Sequence, residues 1–311
     1  MAKCVVTGGL GFIGHHLVKA LIERGDEVMI IDNQSGLKNL SPETIEARFV
    51  GKAEYVNRDI SDPGEQLDIK LCCEGADYFF HLAALPRVQY SFEYPVETAL
   101  ANVIGTVMML NAAHMVGAKR FVFASSSSVY GDSDELPLHE DLPLDPMSPY
   151  ALHKKQGEEW CKHFSLLYGL PTVCLRFFNV YGPGADSNGA YALVIAKFLE
   201  QKRKGEPLTI TGDGTQTRDF THVSDVVRAL LLAAETAEVC DGGAINIGGG
   251  RMVSVNEVAK LIGGNTVNIP PRLEPHDTLA SIGKAKGCLG WEPRIVLEDG
   301  IRQLLVSNQF S

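Results

Sequence analysis

Val5-Val6-Thr7-Gly8-Gly9-Leu10-Gly11-Phe12-Ile13-Gly14 is the stretch on which the fold turns. A β-rich run ends at Thr7, glycines recur at Gly8, Gly11 and Gly14, and a helical apolar pattern continues through 12–24. Glycines so placed permit a tight turn, a backbone close to a pyrophosphate, and close helix–strand packing. The N–H groups at the helix start then face the phosphates, so no cationic side chain is needed. Asp32 closes the next apolar run, 18 residues after Gly14. A carboxylate there accepts hydrogen bonds from an adenosine ribose. It also repels a 2′-phosphate, and Asn33-Gln34-Ser35 supplies no arginine, so NAD is expected rather than NADP.

Working outward, runs at 3–7, 27–32, 54–57, 78–82, 120–125 and 172–177 read as strands, with helical patterns at 12–24, 96–116 and 149–168 between them. Their Val, Ile and Phe content without polar alternation suits strands buried on both faces. The alternation predicts an α/β fold, a Rossmann-like doubly wound parallel sheet with a smaller C-terminal α/β substrate domain. After Arg176, Gly and Pro become frequent and apolar runs shorten. The boundaries expected are 1–179 plus about 213–249 for the NAD-binding domain, and about 180–212 plus 250–311 for the substrate domain. A helix at 223–236 and a strand at 244–247 return to the first sheet in this reading. Ser254 and Glu257 form a capping box that opens a C-terminal helix.

The 311 residues carry 28 Lys+Arg against 38 Asp+Glu, a net charge of −10. That balance argues against nucleic acid or an anionic membrane as a partner. An anionic ligand must be held by a few placed groups instead. Segment 98–118 lacks Asp, Glu, Lys and Arg but contains Asn102, Gly105, Thr106, Asn111 and His114, which suits a buried or partner-packed helix better than a lipid-exposed one. The seven cysteines contain no CxxC and read, with no export signal expected, as reduced thiols of a cytoplasmic protein. The nine histidines show no HExxH, and no metal site is expected.

The chemistry concentrates in Ser148-Pro149-Tyr150-Ala151-Leu152-His153-Lys154. Ser148 suits an N-cap and Pro149 the first helical position. Tyr150 and Lys154 then share one face of the first turns. A phenol titrates at about 10, and a nearby ammonium together with a cationic nicotinamide favours the phenolate, making Tyr150 a base near neutrality. Ser125-Ser126-Ser127-Ser128 follows the strand at 120–125, at the sheet edge where open α/β folds bind ligands. A hydroxyl there is suited to the substrate oxygen that gains or loses a proton; the alternative is a serine-rich loop capping its own backbone.

These elements, with Asp59-Ile60, His81-Leu82-Ala83-Ala84, Val129-Tyr130-Gly131, Arg176-Phe177-Phe178-Asn179-Val180-Tyr181-Gly182-Pro183 and Gly212-Asp213-Gly214-Thr215-Gln216-Thr217-Arg218-Asp219-Phe220, occur in one order along nearly the whole chain. In this the chain resembles the extended short-chain dehydrogenase/reductases, specifically the NAD-dependent sugar-nucleotide epimerases and dehydratases. The resemblance implies that Gly8, Gly11, Phe12 and Ile13, beside Gly14, line the pyrophosphate, and that Asp32 and Asn33 hold the adenosine ribose. It implies that Asp59 and Ile60 flank adenine, and that Leu82, Ala83 and Ala84 pass beside the ribose and nicotinamide. Tyr150 and Lys154 also reach the nicotinamide ribose in that family pattern. The catalytic hydroxyl falls on Ser126, with Ser127 the second choice. Asn179 and Arg218 are implied ligands of a substrate diphosphate, for which an arginine fork is suited. Arg272 is the candidate for a second family arginine, although its spacing is one residue short.

Family dehydratases and decarboxylases place an acid before the VYG motif, where this chain has Ser127 and Ser128. The pattern therefore resembles the UDP-sugar 4-epimerases, and it implies transient oxidation at C4 of a UDP-linked sugar. Tyr150 would take the 4-hydroxyl proton, Lys154 lower the phenol pKa, and Ser126 hold the oxygen, before the keto sugar turns and is reduced on its other face. Thr278 is similar in position to the residue that sets room around the C2 substituent, leaving UDP-glucose/UDP-galactose and their N-acetylated equivalents both open. The alternatives are a dehydratase or 4-keto reductase of the same family, and a non-catalytic NAD-sensing or scaffold protein. Segments 96–116 and 149–168 match the helices that pair across a family homodimer.

Overall fold

The computed structural model describes residues 1–36, 53–187, 193–236, 241–271 and 274–307. Its centre is a seven-stranded sheet in the order β11-β6-β5-β4-β1-β2-β3. The strands are β1 (Lys3–Thr7), β2 (Glu27–Ile31), β3 (Glu54–Val56), β4 (Tyr78–His81), β5 (Arg120–Ser126), β6 (Thr172–Phe177) and β11 (Asp241–Ile247). β1 pairs in parallel with β2 on one side and β4 on the other, placing Thr7 beside both Ile31 and His81. β2–β3 and β4–β5 are also parallel. The chain thus leaves β1 in one direction and returns to its other side at β4. That reversal opens a crevice beyond the carboxyl ends of the two strands, where open α/β sheets bind ligands. Val5, Val6, Ile30, Phe79, Phe80, Phe121 and Val122 are all buried, as a sheet covered on both faces requires.

Helix α1 (Phe12–Arg24) follows β1, and α2 (Gln66–Cys72) and α3 (Val88–Glu93) precede a longer helix, α4 (Pro95–Met115). Within α4, Leu100–Ile104 is a π-helical turn. α4 is long and apolar enough to cross a membrane by length and composition alone, but half of its most apolar window is buried within the protein. Helix α5 (Pro149–Tyr168) starts with Ser148 accepting from the Ala151 N–H and Pro149 in the first turn, and ends on left-handed Gly169.

Packing divides the chain into two units. The first comprises Met1–Ser125, Ser148–Leu175 and Ala229–Ala244, and the second Ser126–Met147, Arg176–Arg228 and Ile245–Ser311. This differs from the sequence-based division, which kept 126–147, 176–179, 213–228 and 245–249 with the first domain. Long-range backbone pairing is the reason for the largest transfer. Leu138 donates to Leu279 O and accepts from the Ser281 N–H, while Tyr130 donates to Asn246 and accepts from Arg176.

The core of the first unit runs through Val5, Met29, Phe79, Met109, Phe121, Phe164 and Cys174. In the second, one cluster gathers Tyr181, Phe198, Leu208, Val258 and Leu304, and another Val129, Tyr130, Leu138, Phe178 and Ala280. Its strands are short: β7 (Val180–Tyr181), β8 (Leu208–Thr211), β9 (Thr217–Asp219), β10 (Thr221–His222), β12 (Met252–Ser254) and β13 (Thr266–Ile269) among the described residues. The capping box of Ser254 and Glu257 is present at the start of Val255–Ile262.

Candidate active site

The glycine turn is built as its spacing predicts. Gly8 has φ +69°, and a Cβ there would lie 2.7 Å from the Ala83 nitrogen. A Cβ on Gly14 would fall on the Gly8 carbonyl oxygen, so helix and turn meet backbone to backbone. Gly11 caps α1 with no side-chain hydrogen bond, and no acid occupies the first turn. The helix start therefore keeps its N–H groups and partial positive charge for an outside anion.

Around this turn the first unit gathers the other expected cofactor residues. Asp32 accepts from the Leu10 N–H at 3.1 Å and the Gln34 N–H at 2.8 Å. Burial pushes its carboxyl above the ordinary value, against those two bonds. Asn33 donates to Asp59 at 3.2 Å. Burial opposes the Asp59 charge too, but the Ser61 hydroxyl, the Ser61 N–H and Asn33 outweigh it and hold that carboxyl below its usual range. Ile60 is buried against Gly105 of α4. Leu82, Ala83 and Ala84 leave β4 beside the glycine turn, with the Ala83 N–H donating to Thr7 Oγ1. An uncapped helix start, a glycine cradle that a Cβ would fill, and a carboxylate at the end of β2 fit a dinucleotide.

Tyr150 and Lys154 open α5 in the same unit. The Tyr150 N–H donates to Ser91 Oγ at 3.1 Å, which ties the helix entrance to α3. Lys154 is 5% exposed. Its Nζ donates to Ala124 O at 2.7 Å, lies 4.9 Å from the Phe123 ring centre and 5.8 Å from the Tyr150 ring centre. Burial pushes the amine down to about 8. One turn further on, buried Glu158 accepts from Ser125 Oγ at 2.5 Å. Gly157 lets Phe123 press on the helix, since a Cβ there would overlap the ring. The amine is thus fixed beside the phenol ring by the strand end that α5 covers. Sequence reading found the Tyr150–Lys154 pair but not Glu158 or Ser91; the i+4 spacing of Glu158 after Lys154 was the available signal.

The remaining expected residues lie in the second unit. Ser126, at the end of β5, accepts from the Ser128 N–H at 3.2 Å and the Ser128 hydroxyl at 3.0 Å. It caps its own turn, as the alternative reading of the serine run anticipated, and its own O–H hydrogen is not spent in doing so. Ser127 begins that turn. Asn179 takes a left-handed backbone, φ +24°, and donates to Asp219 O at 3.2 Å. Arg218 is buried, donates to Thr217 O and His276 O, and pairs with Glu274 at 3.0 Å.

Between them, Asp219 accepts from the N–H groups of Gly249, Gly250 and Ala280. Burial pushes its carboxyl up to about 6 despite those bonds. Thr278 is buried with its hydroxyl accepting from the Asp219 N–H at 3.3 Å. Asn179 and Thr278 are therefore linked through the main chain of Asp219, the residue after Arg218, which sequence reading did not single out. Arg272 lies outside the described residues. Among the described residues, no group of three His, Cys, Asp or Glu could hold a metal.

A model of the NAD dependent epimerase/dehydratase family matches residues 4–248. The chain is 39% identical over 311 residues to a putative UDP-glucose 4-epimerase of Methanocaldococcus jannaschii, covering 97% of this chain and 96% of that protein. It superposes on the UDP-N-acetylglucosamine 4-epimerase of Methanobrevibacter ruminantium, solved with UDP-N-acetylmuramic acid, with a TM-score of 0.90 at 34% identity, covering 98% and 97% of the two chains. The UDP-glucose 4-epimerase of Thermotoga maritima, solved with UDP-glucose, gives 0.90 at 36% identity, covering 99% and 98%.

Proposed function

The chain belongs to the NAD-dependent epimerase/dehydratase family, and from that premise we propose that it is a UDP-sugar 4-epimerase. The observation that carries the reading is the buried Lys154 ammonium, held 5.8 Å from the Tyr150 ring centre at the entrance of α5. When bound, NAD supplies reversible acceptance of the C4 hydrogen with its electron pair. Everything else falls to the chain's own side chains. Tyr150 takes the proton from the 4-hydroxyl at its phenolate oxygen and returns it to the same oxygen after the sugar has turned. Lys154 stabilises that phenolate by charge, and Ala124 O fixes the direction from which it does so. Ser126 is assigned to the substrate oxygen as it changes between hydroxyl and ketone. Asn179 and Arg218 are assigned to the diphosphate and Thr278 to the space around C2, with Arg272 the candidate for a second substrate arginine. Gly8, Gly11, Phe12, Ile13 and Gly14 are assigned to the NAD pyrophosphate, and Asp32, Asn33, Asp59 and Ile60 to its adenosine half. On this reading the first unit serves NAD and the second serves the sugar nucleotide.

Ser127 and Ser128 bring no carboxyl group to the turn after β5, which favours epimerisation over dehydration or decarboxylation. The sugar is glucose/galactose or its N-acetylated counterpart. We also propose a homodimer formed through α4 and α5, which leave Val96, Leu100, Ile104, Leu152, Trp160 and Leu166 exposed. We propose a cytoplasmic setting, because the seven cysteines contain no CxxC and read as reduced thiols. The test is incubation of purified protein with UDP-, dTDP- and GDP-sugars followed by separation of stereoisomers. Interconversion of a UDP-sugar with its C4 epimer is expected. A deoxy-keto or decarboxylated product, or no product from any sugar, would contradict the reading.

A further inference from the structure

His81 ends β4, next to Thr7 at the end of β1, and is completely enclosed. Its Nδ1 lies 2.7 Å from Thr7 Oγ1 and its Nε2 lies 2.9 Å from Thr106 Oγ1. The tautomer follows from counting protons. Thr106 Oγ1 donates its only hydrogen to Asn102 O at 2.7 Å, and a carbonyl oxygen has none to give back. Nε2 must therefore carry the imidazole proton and donate it to Thr106. Nδ1 is then bare and accepts the Thr7 hydroxyl hydrogen, while Thr7 Oγ1 accepts the Ala83 N–H at 3.2 Å. The result is one directed chain: Ala83 N–H to Thr7, Thr7 to His81, His81 to Thr106, Thr106 to Asn102.

The far end of that chain returns to the same loop. Asn102 lies in the π-helical turn of α4 and brackets Leu85, its Oδ1 accepting the Leu85 N–H at 2.7 Å and its Nδ2 donating to Leu85 O at 3.2 Å. Segment 82–85 is therefore held at Ala83 by the relay centred on His81, and at Leu85 by the side chain of Asn102, the residue whose main-chain carbonyl ends that relay. Each link in a low-dielectric interior polarises the next, and breaking one leaves buried donors or acceptors unmet. Enclosure keeps the ring neutral, which is why only one of its nitrogens carries a proton. His81 stacks on Phe123 at 5.9 Å, and Lys154 Nζ sits 4.9 Å from the centre of that same ring. An imidazolium in this place would repel the ammonium that the proposed chemistry uses.

We propose that His81, held as the neutral Nε2–H tautomer, is a positioning residue that fixes segment 82–85 for the nicotinamide end of bound NAD. The inference rests on the NAD-dependent reading above and adds a specific support for it. Its test uses the full chain with ¹⁵N-labelled histidine, His81→Gln identifying the signal. The expected pattern at neutral pH is a protonated Nε2 and a bare Nδ1. Thr106→Val removes both an acceptor and a donor, and NAD affinity should fall about tenfold or more, as expected for leaving buried partners unmet. Thr106→Ser keeps the hydroxyl and should restore most of that affinity. Leu170→Ala, a core truncation elsewhere in the first unit, should lower the melting temperature and leave NAD affinity unchanged.

A protonated Nδ1 in the unaltered protein, wild-type NAD affinity in Thr106→Val, or equal loss in the serine and valine variants would overturn the proposal. Equal loss of NAD affinity in Leu170→Ala would also overturn it, by showing general loosening. Failure of the unaltered protein to bind NAD would remove the functional reading itself, a result distinct from all of these.

Discussion

At Lys154, burial and function pull in opposite directions. The proposed chemistry needs a cation beside the Tyr150 phenol, whereas enclosure by Phe123 and the covering helix lowers the amine to about 8. The folded protein thus binds this proton less tightly than an unfolded chain, whose lysine titrates at about 10.4. Linkage fixes the sign: the stability contribution is full above the unfolded value and is lost as pH falls through about 8. Between pH 8 and 10.5, nucleotide-free protein should gain up to about 3 kcal/mol relative to Lys154→Met, at 1.36 kcal/mol per unit. Denaturant unfolding of the two proteins across that range measures the difference. Parallel curves would show that Lys154 is not buried as a cation. The Tyr150–Lys154 pair was readable at this scale because its spacing is local. Thr7, Asn102 and Thr106 were not, because their meaning lies in partners up to 76 residues away.

At the scale of elements, α5 works as a lever pressed on β5. Ser148 and Pro149 set where the helix starts, so Tyr150 faces its first turn and Lys154 its second. Gly157 then allows the Phe123 ring to lie against the helix and support Lys154 from below. Gly157→Ala should destabilise the protein by about 1–3 kcal/mol through overpacking and lower turnover more than it lowers NAD affinity. Phe123→Leu in the same chain frees space for the new methyl and should recover part of the melting temperature. A stable, fully active Gly157→Ala protein would contradict this account of the helix–strand contact. The strand–turn–helix at 3–24 was legible because glycines, apolar period and strand end all agree within a few turns. The placement of 126–147 was not, because it depends on Leu138 pairing with Leu279 and Ser281, far along the chain.

The whole molecule carries a net charge of −10, yet its proposed substrate bears two phosphates. Bulk charge repels such a ligand, so on the proposed reading its recognition rests on Arg218, Asn179 and other placed donors. Arg218 is held ready by Thr217 O, His276 O and Glu274. The exposed apolar side chains of α4 and α5 belong to the same scale, as the faces of the proposed dimer. Ile104→Glu should convert the proposed dimer to monomer, as read by light scattering on a sizing column, with its helical circular dichroism retained. An unaltered protein that runs as a monomer at every concentration would refute the dimer.

The proposed reaction oxidises and then re-reduces one carbon of the sugar. A UDP-sugar carrying deuterium at C4 tests this most directly, with the unaltered protein and Tyr150→Phe compared side by side in ordinary water. The prediction is an epimer that keeps the deuterium at C4, formed readily by the former and very slowly by the latter, with NAD bound to both. An epimer with ordinary hydrogen at C4, or equal rates for the two proteins, would contradict it.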